Sequence, residues 1–152
     1  MDTSQQTTLR YAVVMLVAAG LVVGALKWMN RSQDDVSFCR QVFRGLVSGS
    51  GSVQSRIDWE HLKALDVDIG AAYTKYADEK GKASYRKSFI RGFSYGFAQS
   101  HAKPESFVRW RVQERTEGHV VVATDYEGKG KTLLLTIPAS GKKKIQAIQW
   151  AS

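Results

Sequence analysis

The densest group of polar side chains in the first half of the chain is the run Asp58-Trp59-Glu60-His61. Carboxylates are among the groups that proteins use for proton transfer. No spacing in the sequence, however, forces a second reactive group against this run, and charged side chains are mostly exposed. The sequence therefore favours a solvent-facing role for these side chains over catalysis.

Other reactive chemistry has weaker support. His61, His101 and His119 are isolated, and the chain lacks the CxxC, HxxH and HExxH spacings of zinc sites. Cys39 is the only cysteine, so it cannot form an internal disulfide, and its place on an apolar helix face predicts a small buried thiol. The segment 128–132 resembles a phosphate loop only superficially, because no helix follows it. The sequence predicts no catalytic residue, metal or cofactor.

The longest uncharged run covers Tyr11–Leu26, sixteen residues. As a helix it spans about 24 Å, and continuing to Met29 brings it to about 28 Å, close to the roughly 30 Å of a hydrocarbon core. Trp28 then falls at headgroup level. The sequence predicts four parts: a polar tail 1–10, a transmembrane signal anchor 11–29, a linker 30–35 and a domain 36–152.

A cleaved signal peptide is the main alternative to a retained anchor. Val23 and Ala25 have the small-residue spacing that a signal peptidase accepts. The leading segment, however, carries a single basic residue, Arg10, and the apolar stretch is long for a signal peptide. A retained anchor is therefore favoured over cleavage, and both over a helix buried in the core.

The charges that flank the apolar run and the length of the domain favour opposite orientations in the membrane. Arg10 alone precedes the apolar run and several basic residues follow it, which favours a cytoplasmic domain by the positive-inside rule. Long domains nevertheless translocate largely regardless of their charge. We expect an extracytoplasmic domain, which would be periplasmic in a bacterium.

The chain is basic, with 22 Lys and Arg against 14 Asp and Glu, a net charge of +8. Such a charge favours acidic partners, of which anionic lipid headgroups are the nearest, or is simply a solvated surface. Nucleic acid is not expected as a partner. Trp110 alternates with two arginines and should point into the core, and the lysine clusters at 129–131 and 142–144 should lie at opposite ends of a sheet.

Apolar spacing predicts helices in the first part of the domain. Asp34 or Asp35 is expected to cap a helix that ends at Gly49-Ser50-Gly51, and Ser52 to begin a second helix. A third should begin at Asp66 or Asp68 and end before Gly81. In a fourth, an aromatic ladder repeats every four residues and should pack across a sheet: Tyr85, Phe89, Phe93 and Phe97.

Two further features of the fourth helix are informative. Gly92 and Gly96 form a small-residue strip that another backbone or sheet could approach closely. Lys87 and Arg91 should face solvent. If Phe93 is a core residue, its replacement by alanine should cost roughly 3–5 kcal/mol.

After Pro104 the apolar period changes to two, which predicts strands. Four strands separated by short turns, the last at 143–150, indicate an antiparallel meander, with Leu133, Leu135 and Ile137 on one face. A transmembrane helix followed by three to four helices and then this meander gives an α+β fold class.

The order of these elements and the segments FRGLVSGSG, IDWEHL and SFIRGFSYGF resemble the nuclear-transport-factor-2-like superfamily over residues 34–150. In that superfamily a curved sheet wraps around a helix to form a cone with an open mouth. Members often have a strand between the helices and the main meander, which the sequence does not place unless 103–112 bends into two pieces. Single-span members include periplasmic scaffold subunits of secretion systems.

The resemblance implies a non-catalytic binding or scaffold subunit of a membrane-associated protein assembly. Its partners would be the bilayer, other subunits and, as an open alternative, a second copy of the chain. The other reading is a cone that binds a small apolar ligand or lipid, with isomerase-like chemistry if Asp58 or Asp68 acts as base beside a tyrosine. The residues expected at a pocket or partner surface are Asp58, Trp59, Tyr73, Tyr95 and Trp110.

Overall fold

The computed structural model describes the backbone of residues 3–152 and the side chains of residues 10–152. Contacts divide the chain into two units, one ending at Asp34 and the other comprising Asp35–Ser152. The fold class is α+β, with a long apolar helix at the N-terminus.

The described part of the first unit is the N-terminal part of helix α1, Thr3–Ser48. Its side chains from Arg10 to Arg31 are all exposed, and this helix is long and apolar enough to cross a membrane. The expected anchor, 11–29, is helical throughout, and so is the expected linker, 30–35. Residues 1–2 of the expected tail lie outside the described residues.

The predicted helix start at Asp34 or Asp35 is wrong, because α1 passes through both residues. Amides within a continuous helix bond to carbonyls one turn earlier, so no cap is required there. The predicted end is confirmed: α1 stops at Ser48, and Gly49 has a φ of 72°. Glycine adopts this left-handed conformation without a Cβ clash, which makes it a common residue just beyond a helix end.

Of the three remaining predicted helices, the second and third are shorter than predicted and the fourth is confirmed. The expected second helix is a short 3-10 helix, Gly51–Arg56. The third is the five-residue α2, Ile69–Tyr73, whose cap is the predicted Asp68. The fourth is confirmed as α3, Glu79–Gln99, where Asp78 caps the helix by accepting a 2.8 Å hydrogen bond from the Gly81 amide.

The sheet has six strands and is mixed, so the prediction of a sheet with only four antiparallel strands is wrong, although the last four strands do pair in sequence order as the predicted antiparallel meander. The strands are β1, Lys63–Ala64; β2, Val67–Asp68; β3, Phe107–Arg115; β4, His119–Tyr126; β5, Lys131–Pro138; and β6, Ala147–Trp150. Their order in the sheet is β2-β1-β6-β5-β4-β3, and β1 pairs with β6 in parallel while the other neighbours are antiparallel. The additional strands, β1 and β2, come from the region predicted to be helical.

One face of this sheet supports the core of the second unit. Leu133, Leu135 and Ile137 are buried on alternate positions of β5, as predicted. Phe43 of α1 lies above the sheet, with its ring centroid 4.8 Å from Phe107 of β3 and 5.9 Å from Phe97 of α3. The C-terminal part of α1 therefore joins α3 and the sheet into one core.

Candidate binding clefts

Asp58 and His61, from the densest polar run, form a pair between the 3-10 helix and β1. The His61 Nδ1 lies 3.0 Å from a carboxylate oxygen of Asp58, and this hydrogen bond raises the pKa of His61. Gln146 donates to the other oxygen of Asp58 at 3.3 Å. The carboxylate is thus engaged by two neighbours from separate parts of the chain and links the loop before β1 to the segment before β6.

Trp59 and Tyr73 come together, but inside the core. Both are buried, with ring centroids 6.0 Å apart. The Trp59 indole donates to the Gln54 carbonyl at 2.9 Å, and the Tyr73 hydroxyl accepts from Arg86 at 2.9 Å. Their polar atoms are therefore satisfied within the domain, and the rings stabilise the packing of α2 against α3.

Tyr95 and Trp110 lie at two further places. Tyr95 is exposed on α3, whereas Trp110 is half-buried on β3 with its ring 5.6 Å from Phe43. A bulge precedes Trp110, since Arg109 has a φ of 52° and the register shifts between Val108 and Arg111. The five residues expected at one surface thus do not form one site.

An apolar cleft of about 290 Å³ opens between α3 and the sheet. Its lining is dominated by large apolar side chains from α1, α3, β3, β5 and β6: Phe43, Phe93, Phe97, Phe107, Leu133 and Trp150. Only Phe93 and Phe97 of the aromatic ladder thus face the sheet, where they are half-buried and line the cleft. Phe89 and Tyr85 pack instead on Trp59 and Tyr73, at ring-centroid distances of 5.5 and 6.0 Å.

Gly92 and Gly96 lie on the same side of α3 and also line this cleft. A Cβ added at either glycine would meet no atom within 4 Å. The backbone or sheet expected to approach this strip is thus absent from the described part of the chain. The strip instead leaves room at the cleft.

The rim of the apolar cleft comes partly from the β1–β2 turn. Leu65 lines the cleft while remaining 45% exposed, and Trp150 is 39% exposed. Leu65 and Asp66 have φ angles of 50° and 69°, which most non-glycine residues avoid. The turn holds a leucine in an unfavourable backbone conformation beside the cleft mouth, an arrangement that sequence reasoning missed.

The chemistry of this cleft is that of binding apolar groups. Ser100 is the one hydroxyl side chain that the described residues contribute to its lining, and this hydroxyl donates to the Phe97 carbonyl at 2.6 Å. No carboxylate, imidazole or thiol of the described residues lines it. An apolar group entering it would gain roughly 25 cal/mol for each Å² of apolar surface removed from water.

The polar face of β3 is organised by one carboxylate of β4. Arg109 and Arg111 both pair with Asp125, at 2.8 and 3.1 Å, and the Thr132 hydroxyl donates to it at 2.8 Å. These hydrogen bonds, of which the one from Arg109 has the largest effect, hold the pKa of Asp125 far below its usual range. The two arginines thus serve strand pairing across the bulge.

No protein-family model matches the chain, and no curated protein or solved structure gives a significant match. Among the described side chains, no three His, Cys, Asp or Glu groups are close enough together to hold a metal ion. Without a match to a known protein, the candidate site has to be chosen from the structure of this chain, and we choose the apolar cleft for its lining.

Proposed function

We propose that this protein is a single-pass, membrane-anchored binding subunit of a protein assembly, with its domain on the extracytoplasmic side. Residues 11–29 would be the anchor. The domain would be of the nuclear-transport-factor-2-like type, a proposal supported by helices α1, α2 and α3, which precede the meander β3–β6 and contribute to the core on one face of the sheet. It would act by binding and not by catalysis.

The observation that carries this proposal is the open apolar cleft between α3 and the sheet. Phe43 already occupies the space between these elements, and about 290 Å³ remains, just below the usual 300–1,000 Å³ of a small-molecule pocket. An opening of this size suits one or two apolar side chains of a protein partner. Aromatic anchors in such pockets commonly dominate interface energetics.

The exposed rim supports a protein partner further. Leu65, Val67 and Trp150 are exposed large apolar side chains, and Leu65 and Trp150 border the cleft directly. A partner that covers the rim as it fills the cleft would exclude water from both. Val67, two residues after Leu65 in the β1–β2 hairpin, would extend the contact.

A small apolar ligand or lipid remains the second candidate, because the lining is almost entirely apolar. An acyl chain could enter between Phe93 and Phe97 where the two glycines leave space. The isomerase-like version has less support, since Asp58, Asp68 and Tyr73 do not line this cleft.

Blocking the cleft tests the proposal. Gly96→Leu should fill it without harming the fold, because nothing occupies the space and leucine is a better helix former by about 0.8 kcal/mol. Ser88→Leu, which adds a leucine at an exposed position of α3 outside the cleft, is the matched control. A photo-crosslinking residue at Val67 in the full chain, in its own membranes, reports on the partner.

A discrete protein adduct that disappears with Gly96→Leu and persists with Ser88→Leu would support the partner proposal. A lipid recovered by mass spectrometry from the purified full chain, and lost only with Gly96→Leu, would favour the second candidate. Adducts equally abundant in all variants, with no bound lipid, would contradict both.

A further inference from the structure

A second and different cleft lies between the turn after α1 and the outer side of α3. It has a volume of about 410 Å³. Gly49 and Gly51 form one wall, and the side chains that supply its chemistry are Gln54, Lys87, Arg91 and Tyr95. Ile90, which is buried, anchors α3 beneath it.

The two cations of this cleft are unpaired. Lys87 and Arg91 are exposed, and neither has a carboxylate within 4.0 Å or a side-chain hydrogen bond among the described residues. Their four-residue spacing places them one above the other on α3. The adjacent Arg86 contrasts with them, since it bonds Glu79 at 2.6 Å and the Tyr73 hydroxyl at 2.9 Å.

Gln54 is held so that it offers a donor to the same space. Its Oε1 accepts from Arg86 Nε at 3.3 Å, which assigns the other end of the amide as the NH₂ group. That Nε2 faces the glycine wall, because a Cβ at Gly51 would lie 3.9 Å from it. Arg86 therefore orients a neutral donor toward the cleft and keeps its own charge paired elsewhere.

The wall and the helix are fixed to each other. The Ser94 hydroxyl donates to the Val47 carbonyl at 2.7 Å, which ties α3 to the last turn of α1. Gly49 has a φ of 72° and no side chain to obstruct the opening. The separation between the glycine turn and the backbone of α3 is thus set by the fold.

No Asp or Glu among the described residues lines this cleft. A site with two unpaired cations, an oriented amide donor and no acid is complementary to an anion. Arginine offers a planar fork of donors and lysine a mobile point charge, a combination suited to the several oxygens of a phosphate. The exposed ring of Tyr95, one turn beyond Arg91, gives an apolar surface for whatever carries the phosphate.

We propose that this cleft binds a phosphate monoester through Lys87, Arg91 and Gln54, carried either by a small soluble molecule or by a phospholipid headgroup. The site is independent of the apolar cleft, because the two share no lining residue. It would give the protein a second ligand and a means of responding to it.

The test uses the full chain in nanodiscs. In zwitterionic nanodiscs it is titrated with glycerol 3-phosphate by calorimetry, with the solution at low salt. A second arm replaces the soluble ester by phosphatidic acid in the nanodisc and follows spectral shifts of the amides of residues 49–54. Saturable binding of the soluble probe assigns a soluble ligand, whereas shifts only with phosphatidic acid assign a headgroup.

The double variant Lys87→Gln with Arg91→Gln should weaken binding of the phosphate probe about tenfold or more, since each charge-assisted hydrogen bond contributes strongly to the binding free energy. The control, Lys129→Gln with Lys142→Gln, removes the same charge from exposed turns outside the cleft and should change affinity by less than about twofold. Gly96→Leu should leave binding unchanged. Equal losses in the two double variants, or no saturable response to either probe, would overturn the proposal.

Discussion

Asp35 is a buried carboxylate that two cations from distant parts of the chain neutralise. Arg115 of β3 donates to it at 2.6 Å, and the Lys143 ammonium lies 3.0 Å away. Cys39, one turn later on α1, is also buried near Asp35. Burial raises the pKa of the Cys39 thiol, and the nearby negative charge of Asp35 raises it further, to about 12. The thiol therefore stays protonated at neutral pH.

Removing the Asp35 carboxylate should be costly, because Arg115 would keep a largely buried charge without a partner. We expect Asp35→Ala to lower the free energy of unfolding by about 3 kcal/mol, the lower end of the range for breaking a buried pair, since Lys143 is partly exposed. Urea denaturation of the full chain in detergent measures this. Asp34→Ala, at the exposed neighbouring position, should change it by less than about 0.5 kcal/mol, and equal effects of the two variants would contradict the ion-pair role.

Local sequence patterns predicted the structural roles of some individual residues and not of others. The burial of Cys39 is confirmed, because it follows from the apolar face of its own helix. The cap role of Asp35 is wrong, because its partners lie 80 and 108 residues later and no local pattern shows them. Asp58 likewise meets Gln146 only through the fold.

Strong apolar periodicity was the reliable sequence signal for helices and strands. The ladder of α3 and the alternation of β5 are present as predicted, because each repeats over several turns or residues. The two-residue strands β1 and β2 are too short to show a period, and their turn uses Leu65 and Asp66 where glycine or asparagine is the usual signal. The parallel pairing of β1 with β6 joins segments over 80 residues apart.

Two phenylalanines on neighbouring helices should differ in their contribution to stability. Phe43 is almost fully buried against three aromatic rings, so Phe43→Ala should cost roughly 3–5 kcal/mol. Phe93 is half-buried at the cleft, so Phe93→Ala should cost about half as much, less than its sequence pattern predicts. Thermal and urea unfolding of the full chain compare them, and a larger loss for Phe93 would contradict a cleft on this side of α3.

A chain of 152 residues carries the apolar helix α1 and, among its described residues, both the apolar cleft and the cleft lined by Lys87 and Arg91. α3 contributes to both clefts with different sides: its glycines and phenylalanines to one, its cations and Tyr95 to the other. The proposed ligand of Lys87 and Arg91 and the proposed partner in the apolar cleft would therefore both contact α3. Coupling between the two would be expected only if one of them shifts α3.

Retention of the apolar segment is the prediction on which the proposed cellular role depends. No side chain from Arg10 to Arg31 is buried in the chain itself, so the apolar ones need either lipid or removal by cleavage. We expect the full chain to stay in the membrane pellet after alkaline carbonate extraction, with an intact N-terminal peptide by mass spectrometry. A tag after Ser152 should be digested by protease added outside the cytoplasmic membrane. Recovery of a soluble chain that begins at Leu26 would instead show that the segment is a cleaved signal, and protection of the tag in sealed cells would place the domain in the cytoplasm.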